Sequence, residues 1–234
     1  MSDTRNDYRL IVAQHAAEML VAIARGKKLP VPTSWQRVQA LAEKALSIVK
    51  RMRYSFMPAT MLAVSEEARE LREVARELTG LLLDQRWVAS LRSSPRARRG
   101  LAEARYALRT LYSLPARLAL GDENDPYYAV DVECVTVSSV SRHPESDNLY
   151  VTHAKGRLHY TIVTNLADVQ RGDLRAAAVL PPREFRGVIS EAMYCSRSRL
   201  NGEEGCSPGR RPPRGLVEVG GIVAVLREIA RSVH

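Results

Sequence analysis

Residues 128–153, YAVDVECVTVSSVSRHPESDNLYVTH, decide the fold of the second half of the chain. Their opening alternates. Val130, Val132, Cys134 and Thr136 fall on one face, and Asp131, Glu133, Val135 and Val137 fall on the other, the two-residue period of a strand. His143-Pro144-Glu145-Ser146-Asp147 then ends that strand, because Pro144 fixes its own φ and pushes the residue before it out of the helical region. A second strand is predicted over Leu149 to His153, a tight turn at Lys155-Gly156, and a third strand, paired with the second, over His159 to Asn165. Further on, Ala176 to Leu180 and Glu191 to Ser196 read as two more. Five short strands within residues 130–196 build a small, highly curved β-barrel.

The stretch also carries an ordered set of residues: His143, Pro144, Asp147, Leu149 and Tyr150, then Ile162-Val163-Thr164-Asn165, then Leu180, Pro182, Arg186, Gly187, Ser190 and Met193. Over residues 128–195 this set resembles the tRNA-binding domain that is appended to methionyl- and phenylalanyl-tRNA synthetases and also stands alone. The resemblance implies an OB-fold and a tRNA ligand, and it assigns RNA contact to Thr164, Asn165, Arg186, Ser190 and Met193. Val179, Pro181 and Glu184 stand where that family carries an asparagine and two lysines, which removes two positive charges and adds a negative one. Arg183, in the same short segment, is the expected replacement. Cys134-Val135 stands for a Val-Gly pair, and Asn165 and Ala192 replace two glycines.

Length and composition set the frame. At 234 residues, with 45% apolar and 26% charged, the chain has room for two modest domains with real cores. No run approaches 18 apolar residues, and the charged start MSDTRNDYR has no apolar segment behind it, so neither membrane spanning nor secretion is expected and the cytoplasm is. Cys134, Cys195 and Cys206 form no CxxC pair and have no spaced histidine partners; no metal or cofactor is expected. Reduced thiols are the simple expectation, with a Cys195–Cys206 bridge as the alternative. Charge is unevenly placed: residues 1–120 carry 21 Lys and Arg against 11 Asp and Glu, whereas residues 121–234 carry 14 against 15. Attraction for a polyanion must therefore come largely from the amino-terminal half.

That half reads as helices. Tyr8, Ile11, Val12, His15, Met19, Ala22 and Ile23 line one face up to Gly26, and His15 on that stripe is expected in the core or at its edge. Thr33 with Gln36 forms a capping box for a second helix through Trp35, Leu41, Ile48 and Met52, closed by Lys50, Arg51 and Arg53. A third runs from about Ala59 to Leu82, with Glu66–Arg69 and Glu73–Arg76 as pairs along its exposed face. Ser94-Pro95 starts a fourth, ending near Leu114. Arg96, Arg98 and Arg99 in its first turns face the helix's positive end, which disfavours them, so they are candidates for phosphate contact.

The expected fold class is thus α+β by two domains: a basic antiparallel four-helix bundle over residues 1–120, a polar linker at 121–126, and an OB-fold barrel over 127–234. In the barrel domain, residues 197–214 form an Arg/Pro-rich loop, expected to be mobile unless a partner orders it, with Arg197 and Arg199 as candidate RNA contacts. Leu216, Val217 and Val219 are candidates for a further strand. Val223, Leu226, Ile229 and Val233 mark an amphipathic helix expected on the barrel or on a second copy. No nucleophile elbow or phosphate-cradling glycine loop is present, and His143, Glu145 and Asp147 read as turn residues. The expectation is a non-catalytic tRNA-binding protein, with an aminoacyl-tRNA synthetase or a second copy as candidate protein partners. The alternative is a protein-interaction module, a synthetase scaffold or chaperone-like dimer, with little RNA affinity.

Overall fold

The computed structural model describes residues 4–196 and 198–233, and the chain divides into two compact units, residues 1–130 with 226–234, and residues 131–225. The first unit is helical: α1 (Tyr8–Gly26), α2 (Trp35–Arg53), α3 (Ala59–Leu62), α4 (Glu66–Leu82), α5 (Gln85–Ser93), α6 (Pro95–Leu118) and α7 (Pro126–Ala129). Four long helices close a ring in which α1 packs on α2 and α6, and α4 packs on the same two. Leu10, Leu20 and Ile23 of α1 meet Ile48 of α2, Leu71 and Leu78 of α4 and Leu111 of α6 in a buried core. Two arginines are buried with them, each satisfied. Arg9 pairs with Asp7 and donates to the Gly121 carbonyl, and Arg53 donates to Gln14 and to the Arg5 carbonyl.

Local chemistry corrects several expected boundaries. Ser34, not Thr33, caps α2 by accepting from the Arg37 amide. The third predicted helix is broken before Ser65, which caps α4. The fourth continues through Pro115 to Leu118, where Arg117 donates to the Thr110 carbonyl in the turns around that proline. Residues 121–126 are not a loose linker: the Gly121 carbonyl accepts from Arg9, Asp122 accepts from the Thr60 amide, and Asn124 accepts from the Tyr8 amide.

The second unit is one antiparallel sheet of β1 (Val132–His143), β2 (Ser146–Lys155), β3 (His159–Thr164), β4 (Leu174–Phe185) and β5 (Val188–Tyr194), in the order β3-β2-β1-β4-β5. β1 is long enough to pair with β4 through Val132–Thr136 and with β2 through Thr136–His143, bending at an irregularity between Val137 and Ser139. The barrel closes where β5 meets β3 through side chains. Ser190 Oγ accepts from the Val163 amide at 3.0 Å, and Glu191 accepts from the Thr161 amide at 3.1 Å. This is the five-stranded OB-fold.

The remaining edge of β1 is covered by the segment expected to be mobile. Cys134 donates its amide to the Arg210 carbonyl and its carbonyl accepts from Gly209, while a disulfide joins Cys134 to Cys206. That bond overturns both the reduced-thiol expectation and the Cys195–Cys206 alternative: Cys195 is a buried free thiol, which burial pushes up to about 12. No strand forms at residues 216–219; Arg214–Leu216 is a 3-10 turn, and the Glu218 amide donates to the Cys195 carbonyl. The closing helix α8 (Gly220–Ser232) contributes its residues from Leu226 onward to the helical unit, with Leu226, Ile229 and Val233 buried.

Candidate nucleic-acid interface

The β4–β5 hairpin turns on Arg186-Gly187, between the paired residues Phe185 and Val188. Both turn residues have positive φ, 43° for Arg186 and 83° for Gly187, the requirement of a two-residue turn that continues the strand twist. Gly187 is needed for that φ and not for close approach, since a Cβ there would meet nothing within 4 Å.

This hairpin tip is latched to the turn between β1 and β2. His143, buried, donates from Nε2 to the Phe185 carbonyl at 2.9 Å and accepts at Nδ1 from the Glu145 amide at 3.1 Å, so one neutral tautomer satisfies both bonds. Arg186 donates to the Glu145 carbonyl from the other side. Pro144 keeps the turn tight between these two anchors. The histidine and proline thus hold together the two loops through which OB-folds grip nucleic acid.

Around the latch the exposed side chains are mixed in charge. Arg142, Arg183 and Arg186 are exposed cations, and Glu145, Asp147 and Glu184 are exposed anions. Phe185 is 37% exposed, large for a phenylalanine at a hairpin tip. Beside it, strand register places Arg142 opposite Tyr150 and Tyr150 opposite Thr164, so these three share one face at the mouth of the barrel. Aromatic faces set among guanidiniums suit unpaired bases and the phosphates that join them.

The sequence candidates separate on this geometry. Arg183, Arg186, Thr164 and Asn165 lie at or near the tip face, Asn165 exposed and Thr164 half-buried, with its hydroxyl accepting from the Leu166 amide. Ser190 is buried and occupied in closing the barrel, since it also donates to the Ala192 carbonyl. Met193 lies against Gly221 of α8, close enough that a Cβ at position 221 would collide with its side chain. Neither Ser190 nor Met193 presents itself to a ligand. In the helical unit, Arg99 is spent on Glu103, which also pairs with Lys28. Arg98 is exposed, whereas the Arg96 side chain and the whole of Arg197 lie outside the described residues; Arg199 is exposed. Of the aromatics, Tyr160 donates to buried Glu133, and Tyr194 shares a hydrogen bond with Thr152. Sequence reasoning missed Arg142, whose only signal was its place one residue before the His-Pro pair.

An OB barrel with a cation-and-aromatic rim, carried behind a helical ring, defines a modular protein whose barrel is of the nucleic-acid-binding kind. Residues 132–209 match the family described as "Putative tRNA binding domain", and residues 1–121 match the family described as "Alpha helical domain". The second match spans more than half of the chain, which therefore belongs to the alpha helical domain family and carries a tRNA-binding domain after it. Among curated proteins, the phenylalanine–tRNA ligase beta subunit of Thermotoga maritima is 36% identical over 90 residues, covering 33% of this chain and 11% of that protein. The chain thus corresponds to only a small part of that relative's length. No helix among the described residues is long and apolar enough to cross a membrane, and no group of three or more metal-ligating residues occurs among them.

Proposed function

We propose that the protein is a non-catalytic tRNA-binding protein of the cytoplasm, in which the barrel's tip face takes the RNA and the helical unit adds phosphate contacts. The observation that carries this reading is the latched tip: Arg183, Phe185 and Arg186 are held beside Arg142 and Tyr150 by the two His143 bonds, within a barrel of the tRNA-binding family. A rim fixed in advance loses little entropy when it binds. The relative's name, a phenylalanine–tRNA ligase subunit, supports tRNA as the polyanion.

A second reading rests on the same rim. Glu145, Asp147 and Glu184 offset its three arginines, and this balance favours a protein-interaction module, with a synthetase or a second copy as partner. Binding of bulk tRNA to the full chain, measured across roughly 50 to 200 mM salt, decides between them. The RNA-binding reading expects affinity that falls steeply with salt and is weakened by Arg183→Glu combined with Phe185→Ala. No binding even at the low-salt end would leave the interaction module as the better account.

A further inference from the structure

We propose that α4 and α6 of the helical unit carry a second RNA site, a phosphate clamp formed by Arg72, Arg76 and Tyr112. The proposal rests on the tRNA-binding reading and deepens it by naming where the helical unit holds the backbone.

The argument begins with charge segregation along α4. Its glutamates at 66, 70, 73 and 77 and its arginines at 69, 72 and 76 recur at three- and four-residue spacing, which puts them on two adjacent flanks of the helix. In the structure the glutamates do not pair with those arginines. Glu77 pairs with Arg37, and Glu70 with Lys44 and Arg51, all three cations coming from α2. Among the described residues, no carboxylate lies within 4.0 Å of the guanidinium of Arg69, Arg72 or Arg76, exposed Glu73 included. The acidic flank of α4 is consumed by α2, and the basic flank is left toward α6.

What the basic flank meets is a phenol. Arg72 lies over the Tyr112 ring at 4.9 Å from the centroid and donates to its hydroxyl oxygen at 3.2 Å. Arg76 reaches the same oxygen, and hydrogen bonds from Arg72 first and Arg76 second hold the Tyr112 hydroxyl below its ordinary pKa. All three side chains are exposed, Tyr112 by 41%. Two guanidiniums converging on one neutral oxygen form a pocket of donors without an anion. A phosphate oxygen in that place would accept from both arginines, and the phenol, turned around, would donate its own proton to the phosphate.

RNA is favoured over a singly phosphorylated protein because the cations continue beyond the clamp. Arg69 to Arg76 spans about 10 Å of α4 at 1.5 Å per residue. On α6, Arg98, Arg105 and Arg109 precede Tyr112 by fourteen, seven and three residues, the spacing of one helix flank. A stripe of this length matches successive phosphates of a backbone better than one isolated group.

The test uses the full chain with bulk tRNA. The double variant Arg72→Ala with Arg76→Ala should bind at least about tenfold more weakly, with a log–log salt slope shallower by roughly 1.4 to 1.8 for two lost phosphate contacts. Tyr112→Phe, which keeps the stacked ring and removes the donor, should weaken binding by a smaller factor at an unchanged melting temperature. If the unaltered chain binds tRNA and both variants match it in affinity and slope, the clamp is overturned while the tRNA-binding reading stands. If the unaltered chain binds no tRNA at low salt, both fall. Loss of binding to a singly phosphorylated peptide, with tRNA affinity intact, would mark a phosphoprotein site and overturn the clamp as drawn.

Discussion

Arg186 occupies two roles that ordinarily conflict. Its φ of 43° places a non-glycine residue in the left-handed region, a cost of about 1 kcal/mol, while its bond to the Glu145 carbonyl returns a comparable amount. Arg186→Gly removes the strain and the bond together, so the melting temperature should change by no more than a few degrees. If the guanidinium also meets RNA, tRNA affinity should nevertheless fall by roughly 1 to 3 kcal/mol. Unchanged affinity in a binding assay would confine Arg186 to the latch. His143 behaves differently: it is buried with both ring nitrogens engaged, so His143→Ala should cost about 1 to 3 kcal/mol, measured by denaturant unfolding, and should weaken tRNA binding by freeing the two tips. His15 supplies a pH test in the helical unit. Burial lowers its pKa, against a smaller opposing pull from Glu18, so the unfolded chain takes up the proton first. The sign follows: stability is full above the ordinary pKa of about 6.5 and declines as pH falls below it, and His15→Gln should flatten that decline in thermal melts at pH 5 to 7.

At the scale of elements, the β4–β5 hairpin shows how far a sequence can be read. Its residues Pro182, Arg186 and Gly187 mark the OB-fold, yet the length of β4 was not legible, because Pro181 and Pro182 sit inside it. They are accommodated at the irregularity between Val179 and Arg183, where the ladder to β5 is interrupted and no amide donor is missed. The same hairpin carries the departures from the family's pattern. Pro181→Lys with Glu184→Lys reverses one charge and adds another on the tip face. The expected outcome is tighter tRNA binding with a steeper salt slope, read in the same titration. On α4 the periodicity placed the glutamates and arginines correctly on the exposed side but misassigned their partners. An i,i+3 pair is worth only a few tenths of a kcal/mol, and cations on a neighbouring helix compete for the same glutamates. The phosphate clamp was therefore invisible in one dimension, since it depends on which helix packs beside which.

At the scale of the whole molecule, the division into a helical unit and a barrel was legible from the change in hydrophobic period, while the tie between residue 134 and residue 206 was not. Three cysteines give no pairing by spacing, and the bridge exists because residues 206–210 lie along the uncovered edge of β1. This bridge encloses a 72-residue separation that takes in most of β1 and all of β2 to β5, so it acts on the barrel alone. By the chain-entropy account, a loop of that length contributes about 4 kcal/mol through the unfolded state. The helical unit holds no cysteine and has its own buried core. Cys206→Ser, or reduction with a thiol, should therefore lower the barrel's unfolding midpoint and leave that of the helical unit in place. Calorimetry of the full chain under oxidising conditions would set the reference, and reduction should separate a barrel transition to lower temperature. A single transition that shifts as one body would mean that the two units unfold together. Loss of tRNA affinity in step with the barrel's melting, while helical circular dichroism persists, would place the dominant contacts on the latched tips and leave the α4–α6 clamp in a supporting part.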